Sequence, residues 1–123
     1  MHTVGVDIAE IWRVREAIER FGDRFLRKVY TEGEIRTSRG RVPELAARFA
    51  GKEAVMKLLG TGARGVGWKE IEILPRRGGK PLVYLHGRAK MHAERIGLKD
   101  VAISLSHSIE YAIAMAVGEA DNP

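Results

Sequence analysis

The stretch from Arg48 to Lys57, Arg-Phe-Ala-Gly-Lys-Glu-Ala-Val-Met-Lys, constrains the fold more than any other part of this chain. Alanines at positions 46, 47, 50 and 54 strongly favour a helix here. Pro43 can stand in the first helical turn, and Gly60 is a natural end. At about 3.6 residues per turn, one side of this helix carries an apolar stripe, formed by Leu45, Phe49, Met56 and Leu59.

Charged residues interrupt this stripe. Lys52 falls inside it and Glu53 on its edge, although a helix that only filled a core would carry leucine or isoleucine there, because burying an unpaired charge is costly. In one interpretation, Glu53 pairs with Lys57 one turn later and Lys52 extends its ammonium group to solvent. In the other, the carboxylate and both ammonium groups point into a shared pocket. The stretch by itself is compatible with both.

The bulk properties exclude several classes of protein. With 123 residues, the chain is long enough for one domain with a real core, but not for two. It has no cysteine, so neither disulfides nor a thiolate zinc site hold the fold. No apolar run is long enough to span a membrane and no signal peptide is visible, so we expect a cytoplasmic protein. The net charge of +5 fits a polyanionic partner, such as a nucleic acid, a nucleotide or an acidic protein.

The first strand carries a possible functional carboxylate. Val4, Val6 and Ile8 alternate with Thr3, Gly5 and Asp7, which is the period of a half-buried strand. Asp7 therefore points away from Val6 and Ile8, on the face where Gly5 leaves space beside it. An aspartate at a strand end often only caps a helix or turn, so its meaning depends on what lies opposite.

A basic helix is predicted next. Ile11, Val14, Ile18 and Phe21 repeat at helical spacing, and Gly22 ends the run. A second helical piece follows around Phe25, Leu26 and Val29, and a turn of helix with a loop covers 32–41. Positive residues exceed negative ones along one side of this region, among them Arg13, Arg20 and Arg24. A solvated charged face is the usual explanation of such a pattern, and an acidic docking partner is the alternative.

The second half of the chain predicts an α+β domain, with a mainly antiparallel sheet packed by helices. Alternating residues indicate a hairpin of strands at 69–74 and 82–86, and two neighbouring antiparallel strands at 101–105 and 111–117. A helix is predicted over 87–96, with His92 at the edge of the core. Residues 1–118 form the predicted domain, and 119–123 a flexible tail.

The glycine-rich segment from Gly60 to Gly67 is a weak signal by itself. It holds four glycines, which let a backbone approach a ligand or adopt positive φ angles. No Gly-Lys-Ser/Thr follows, so it is not a Walker loop, and it lacks the strand–helix setting of a dinucleotide fingerprint.

Taken together, the charged residues fit phosphate chemistry. Asp7 and Glu53 are hard oxygen ligands on separate elements, which suits Mg²⁺ with its preference for one or two protein carboxylates plus water and phosphate oxygens. The lack of cysteine and of a close histidine pair argues against zinc. Cationic and hydrogen-bonding groups suited to phosphate oxygens come from Arg48, Lys52, Lys57 and the corner 106–108. A metal and lysines around a pyrophosphate are typical of phosphoryl transfer.

Two long motifs resemble those of the holo-[acyl-carrier-protein] synthases. Val4-Gly-Val-Asp-Ile-Ala-Glu-Ile-Trp-Arg13 resembles that family's opening Gly-x-Asp-(Ile/Leu)-x-x-(Ile/Val)-x-Arg, and the central stretch resembles its Arg-Phe-Ala-x-Lys-Glu-Ala-x-x-Lys. Shorter matches follow in the family's order, at Thr31 with Glu34, Gly60-Thr-Gly62, Gly79-Lys-Pro81 and Ser104-Leu-Ser-His-Ser108. The chain departs from the family pattern at Gly51, where a slightly larger residue is expected, and in a short segment after Glu34.

The resemblance implies a Mg²⁺-dependent transferase that moves 4′-phosphopantetheine from coenzyme A to a serine of apo acyl carrier protein, releasing adenosine 3′,5′-bisphosphate. Asp7 and Glu53 would hold the metal, with catalytic Lys57 and also Lys52 offsetting charge on the leaving group. The serine proton would leave to a water on the metal or to a carboxylate. The nucleotide end of coenzyme A would contact Arg48, Lys52, Gly60, Thr61, Gly62, His107 and Ser108.

The resemblance also implies partners and an assembly. Arg13, Arg20 and Arg24 would dock the acidic carrier protein, so neither nucleic acid nor a membrane is needed to explain the basic face. The family forms homotrimers with sites between subunits. A small nucleic-acid-binding protein is the alternative function, but Asp7 and Glu53 would repel DNA from the middle of its binding surface. A purely structural subunit leaves the charges in the apolar stripe unexplained.

Overall fold

The computed structural model of the protein describes all residues, from Met1 to Pro123. The strands are β1 (His2–Glu10), β2 (Ile71–Arg76), β3 (Gly79–Leu85), β4 (Asp100–His107) and β5 (Tyr111–Glu119). The helices are α1 (Ile11–Phe21), α2 (Asp23–Val29), α3 (Glu32–Ser38), α4 (Val42–Leu59), α5 (Gly62–Gly65) and α6 (Gly87–Arg95). A 3₁₀ turn over Trp68–Glu70 leads into β2. None of the helices is long and apolar enough to cross a membrane.

The strands form two antiparallel sheets, which confirms the predicted α+β class. One sheet has three strands in the order β1-β5-β4, and the other is the predicted β2–β3 hairpin. In the larger sheet, Asp7 lies opposite Ala114, and Ala114 lies opposite Leu105. Paired residues share a face of a sheet, so all three side chains point to the same side.

Helix α4 is the predicted central helix, and it lies on that side of the sheet. It has Pro43 in its first turn and ends at Gly60, which adopts a left-handed conformation with φ 76°. Twelve of its 18 residues are buried, so it is covered around most of its circumference. Gly5 allows β1 to approach it closely, since a Cβ at that position would lie 1.8 Å from the backbone oxygen of Ala54. The core therefore lies between α4 and the two sheets.

The two faces of the three-stranded sheet are unlike. Small residues face α4 and are buried: Gly5, Ala9, Ala112, Ala114 and Ala116. The large apolar residues point the other way and are 37–57% exposed: Val4, Val6, Ile8, Ile113, Met115 and Val117. The sheet thus presents an apolar outer face to solvent in the isolated chain. We call these six residues the outer apolar face.

Three predicted segments differ from the structure. Residues 32–41, predicted as a turn of helix and a loop, contain the two-turn helix α3, which begins with a capping box between Thr31 and Glu34. The hairpin strands lie up to three residues from their predicted bounds, since 68–70 form the 3₁₀ turn. In the predicted tail, Glu119 still belongs to β5, Ala120 is fully buried and the Asn122 N–H donates to the Ile96 oxygen.

Candidate active site

The close approach of β1 and α4 brings Asp7 and Glu53 together. Asp7 lies on the face of β1 that α4 covers, and Glu53 lies on the side of α4 that faces β1. Burial, then the negative charge of Asp7 and a hydrogen bond with it, raise the pKa of Glu53 to about 7, against a smaller opposing effect of Lys57. Two carboxylates held this closely repel each other unless a positive charge lies beside them. The sequence prediction that these two residues meet is consistent with this geometry.

Lys57 supplies part of the missing charge. Its Nζ lies 3.0 Å from Asp7 Oδ1 and 3.0 Å from the Val6 oxygen, while more than half of its side chain stays exposed. Lys57 therefore pairs with the aspartate of the neighbouring strand rather than with Glu53 on its own helix. An exposed ammonium beside two carboxyl groups remains free to turn towards a phosphate group.

The protein side chains at this site supply only part of the ligands that a divalent cation needs. No group of three or more histidine, cysteine, aspartate or glutamate side chains is placed to hold a metal ion. Two carboxylates suit Mg²⁺, which completes its shell with water and substrate phosphates rather than with protein side chains. The raised pKa of Glu53, which comes first from burial and then from the charge of Asp7, supports this fit, because a bound cation would stabilise both carboxylates in their charged form.

Lys52 does not lie in this site, so its contacts give no support to its predicted role in binding coenzyme A, which stays a prediction. Its side chain is fully buried, with Nζ 2.7 Å from Oε1 of the equally buried Glu34. It also donates to the backbone oxygens of Trp68 and Ile71. Burial lowers its pKa, and the charge and hydrogen bond of Glu34 oppose that effect. All three ammonium hydrogens are thus used inside the protein.

A groove of about 270 Å³ lies beside the first half of α4 and contains part of the predicted nucleotide site. His107, at the end of β4, places Nε2 3.7 Å from Oε1 of Glu44. Arg48 lines the same groove but is mostly buried, and its guanidinium donates to the Ile73 oxygen (3.1 Å) and to Glu44 (3.2 Å). Pro75, Gly79 and Pro81 of the hairpin complete the lining. Arg48 and His107 therefore line the same groove, and each contacts Glu44.

The remaining predicted nucleotide contacts lie elsewhere. Ser108 forms the turn after β4, where its Oγ accepts from the Tyr111 N–H (3.2 Å). Gly60, Thr61 and Gly62 follow the last turn of α4, and the buried Thr61 hydroxyl has no hydrogen-bond partner. Gly60 is sixteen residues beyond Glu44, about 24 Å along the helix axis. The predicted nucleotide contacts therefore lie far apart within one subunit.

A larger apolar groove opens beside Glu53. It has a volume of about 480 Å³, and its apolar lining comes from Ile8, Ala9, Val14, Ala17, Phe25, Phe49 and Tyr111. Arg13 and Glu10 stand at this groove and form an ion pair of 2.9 Å. The sequence did not predict the groove, because its residues come from five separate elements. The half-buried Phe25 and Phe49 rings stack in it, with centroids 6.4 Å apart.

The three predicted docking arginines are all exposed. Arg13 and Arg20 are two helical turns apart on α1, and their guanidinium groups lie over the rings of Trp12 and Phe21 at 5.4 and 5.5 Å. Arg24 lies on α2 and lines a shallow groove with Phe21, Phe25 and Lys28. Positive charge therefore alternates with exposed aromatic surface along this side of the molecule.

Comparison with known proteins shows the family of this chain. The profile of the 4′-phosphopantetheinyl transferase superfamily matches residues 3–116. A holo-[acyl-carrier-protein] synthase of Herpetosiphon aurantiacus is 45% identical over 125 residues, covering 96% of this chain and 98% of its own.

Solved structures give the same result. The holo-[acyl-carrier-protein] synthase of Neisseria meningitidis superimposes with a TM-score of 0.87 at 32% identity, covering 95% of this chain and 97% of that one. The Helicobacter pylori enzyme, solved in complex with coenzyme A, gives a TM-score of 0.86 at 28% identity and covers 94% of this chain and 99% of its own. With its paired carboxyl groups and nearly full-length similarity, this chain belongs to the holo-[acyl-carrier-protein] synthases of the 4′-phosphopantetheinyl transferase superfamily and is an enzyme.

Proposed function

We propose that this enzyme transfers 4′-phosphopantetheine from coenzyme A to a serine hydroxyl of apo acyl carrier protein. The serine oxygen forms a bond to the phosphorus that carries pantetheine, and the bridging P–O bond of the pyrophosphate breaks. Adenosine 3′,5′-bisphosphate leaves, and the serine proton is released. The observation that carries the proposal is the cluster of Asp7, Glu53 and Lys57, two carboxyl groups and an exposed ammonium beside an open groove.

In this proposal, Asp7 and Glu53 would hold Mg²⁺, which when bound neutralises charge on the pyrophosphate oxygens. Lys57 would leave its contact with Asp7 and bind an oxygen of the leaving phosphate. The apolar lining beside Glu53 would exclude water from the attacked phosphorus, which strengthens each of these electrostatic contacts. Arg48 and His107 would contact the nucleotide end, as would Ser108 and the Gly60–Gly62 loop.

The outer apolar face supports a homotrimer. Six large apolar side chains on one continuous sheet surface are more than isolated soluble chains usually expose, and burying them is favourable. A cyclic trimer would also bring the nucleotide groove of one subunit to the carboxyl pair of the next, which a single chain keeps apart. The predicted cytoplasmic location stays a prediction.

Intact-protein mass spectrometry tests the reaction directly. We expect wild-type enzyme with coenzyme A and Mg²⁺ to add a phosphopantetheine-sized mass to apo acyl carrier protein. Glu53→Gln and Asp7→Asn should each lose about a hundredfold or more of the rate, because each removes a charged ligand. Glu94→Gln, the same chemical change on the exposed surface of α6, is the matched control and should be unaffected. Full activity of Glu53→Gln at ordinary Mg²⁺ would disprove the metal assignment.

Charge reversal tests the docking face. Arg13→Glu, Arg20→Glu and Arg24→Glu should each raise the KM for the carrier protein several-fold and leave the KM for coenzyme A nearly unchanged, because surface charges mainly steer association. High salt should weaken wild-type docking in the same way. Arg95→Glu on α6 serves as the control. An effect on coenzyme A alone would place the docking face elsewhere, and strong salt-sensitive binding of duplex DNA would favour the nucleic-acid alternative.

A further inference from the structure

The interior of the protein contains a complete ionic network that the proposed reaction does not use. Glu34 on α3 and Lys52 on α4 are both fully buried and 2.7 Å apart. The Glu34 carboxylate accepts two further hydrogen bonds, from the Thr31 N–H (2.9 Å) and the Ile73 N–H (2.8 Å). With the two backbone bonds of Lys52, every hydrogen-bonding atom of the pair has a partner. Such a network has a defined geometry, because each bond is directional and none is shared with water.

This network covers the open edge of a strand. β2 pairs with β3 on one side only, so the backbone groups on its other edge need partners. Lys52 donates to the Ile71 oxygen, Glu34 accepts from the Ile73 N–H, and Arg48 donates to the Ile73 oxygen at 3.1 Å. Charged side chains of α3 and α4 therefore occupy the place of a further strand.

Apolar packing limits how α4 is rotated about its axis, through the close contacts at Gly5 and Gly51, but it is only part of what fixes the rotation. A helix with one apolar stripe turns that stripe inward, but α4 is buried on most sides and has no single apolar face to orient it. Hydrogen bonds from Arg48 and Lys52, one turn apart, fix the rotation by pinning one side of the helix to β2.

The rotation of α4 matters for the neighbouring residue. Consecutive helical residues point about 100° apart, so Lys52 faces β2 while Glu53 faces Asp7 on β1. A rotation of about 20° would move a carboxyl group about 6 Å from the axis by about 2 Å. Displacements of about 1 Å at a reacting centre already cost large factors in rate.

We propose that Glu34 and Lys52 are positioning residues that fix the rotation of α4 and thereby hold the Glu53 carboxyl beside Asp7. The inference rests on the proposed function, in which Asp7 and Glu53 bind a divalent cation together. Neither Glu34 nor Lys52 touches the cation or the substrates. Their contribution passes through the backbone of α4, since Lys52 and Glu53 are adjacent.

The test is divalent-cation affinity in a variant that neutralises the pair. Glu34→Gln with Lys52→Met removes both charges and keeps side chains of similar size, so no buried charge is left unpaired. Mn²⁺ serves as the probe, its free concentration measured by electron paramagnetic resonance in the presence of coenzyme A. We expect at least a tenfold weaker Kd for Mn²⁺ in the folded double variant. Its activity should recover partly at high Mg²⁺, with KM for the carrier protein nearly unchanged.

A matched control separates positioning from general loosening. Ile96→Ala opens a cavity in the core at the end of α6 and should lower the Tm while leaving the Mn²⁺ Kd at the wild-type value. Wild-type Mn²⁺ affinity in the folded double variant would overturn the inference, as would an equal loss in Ile96→Ala. If the double variant does not fold, Glu34→Asp is measured instead, since it keeps the charge opposite Lys52 and shortens the side chain by one methylene. Failure of both variants to fold would make the pair a folding requirement and overturn a positioning role. Absence of Mn²⁺ binding by the wild type would instead remove the metal assignment, and this inference with it, while the transfer assay still decides the proposed reaction.

Discussion

At the scale of single residues, we expect the ionised Glu53 carboxyl to lower the free energy of unfolding of the metal-free protein. Its folded pKa of about 7 lies above its ordinary 4.5, so the folded protein holds a proton that the unfolded chain has lost between those pH values. The free energy of unfolding therefore falls as pH rises from about 4.5 to 7, and the loss is complete above 7. We expect Glu53→Gln to be more stable than wild type at pH 8, because it removes a charge that burial and Asp7 disfavour. Solvent reduces the gain to about 1 kcal/mol, since Glu53 is only partly buried.

Thermal unfolding in a chelating buffer checks this expectation. The gain of Glu53→Gln should disappear near pH 4, where the wild-type carboxyl is itself neutral. Glu94→Gln, on the exposed surface of α6, should show no gain at either pH. Equal stability of wild type and Glu53→Gln at both pH values would mean that neither burial nor the charge of Asp7 disfavours the ionised Glu53 carboxyl in solution. A variant that is more stable but inactive would be a direct case of stability sacrificed for function.

The sequence predicted these site residues unevenly. Asp7 and Glu53 were paired in the prediction because both are hard oxygen ligands on separate elements, which suits a shared Mg²⁺. Lys52 is also a charged residue in the apolar stripe, but it is buried against Glu34 and not directed into the site. The sequence did not predict this, because Glu34 lies on another helix and only the tertiary fold brings the two together. One signal was available: Thr31 and Glu34 have capping-box spacing, which predicts that the glutamate side chain turns back to the backbone N–H at the helix start.

At the scale of elements, Gly51 sets the distance between α4 and the sheets. A Cβ there would lie 2.6 Å from Cδ1 of Ile73 and 3.1 Å from Cδ2 of Leu105. Gly51→Ala gains about 1 kcal/mol of helix propensity but overpacks the core at a cost of about 1–3 kcal/mol. We expect a net destabilisation of about 1 kcal/mol. This accounts physically for a glycine where the family pattern has a larger residue.

A double-mutant cycle isolates that contact. Ile73→Val removes the Cδ1 atom, so Gly51→Ala should become neutral or stabilising in its presence, a coupling of about 1 kcal/mol or more. Gly67→Ala is the control, since a Cβ there meets nothing closer than 3.7 Å. Chemical denaturation of the four cycle members gives the coupling. If Gly51→Ala destabilises equally with and without Ile73→Val, Ile73 is not the obstacle.

The elements also mark where periodicity stops being informative. Alternation in β1 and β5 predicted both strands and correctly put Asp7 on the other face of β1 from Val6 and Ile8. Alternation does not tell which face is covered, and here the small residues face α4 while the valines and isoleucines face out. The reason is the close approach of the helix at Gly5, a property of two elements together. The short helix α3 depends likewise on contacts of Glu34 that no local pattern contains.

At the scale of the whole molecule, the exposed outer apolar face and the separation of the site residues both suggest that subunits assemble to complete the site. His107 contacts Glu44 near the start of α4, whereas Glu53 lies nine residues further, about 13 Å along the axis and beside a different groove. We expect a functional site to combine Asp7 and Glu53 of one subunit with His107 of the next. In a closed ring of three, each interface would then hold one such site.

Subunit mixing decides whether the site is shared. Glu53→Gln and His107→Ala chains are co-expressed under conditions where each alone is nearly inactive. In any mixed trimer, one interface pairs an intact Glu53 with an intact neighbouring His107, and the other two lack at least one. With equal amounts and random assembly, roughly three-quarters of trimers are mixed, so about a quarter of wild-type activity should return. If both residues serve the same subunit's site, mixed trimers confirmed by native mass spectrometry restore nothing, because every chain then carries its own defect. That result would refute the shared site and leave the transferase proposal intact, since the chemistry of Asp7, Glu53 and Lys57 does not depend on which subunit holds the nucleotide.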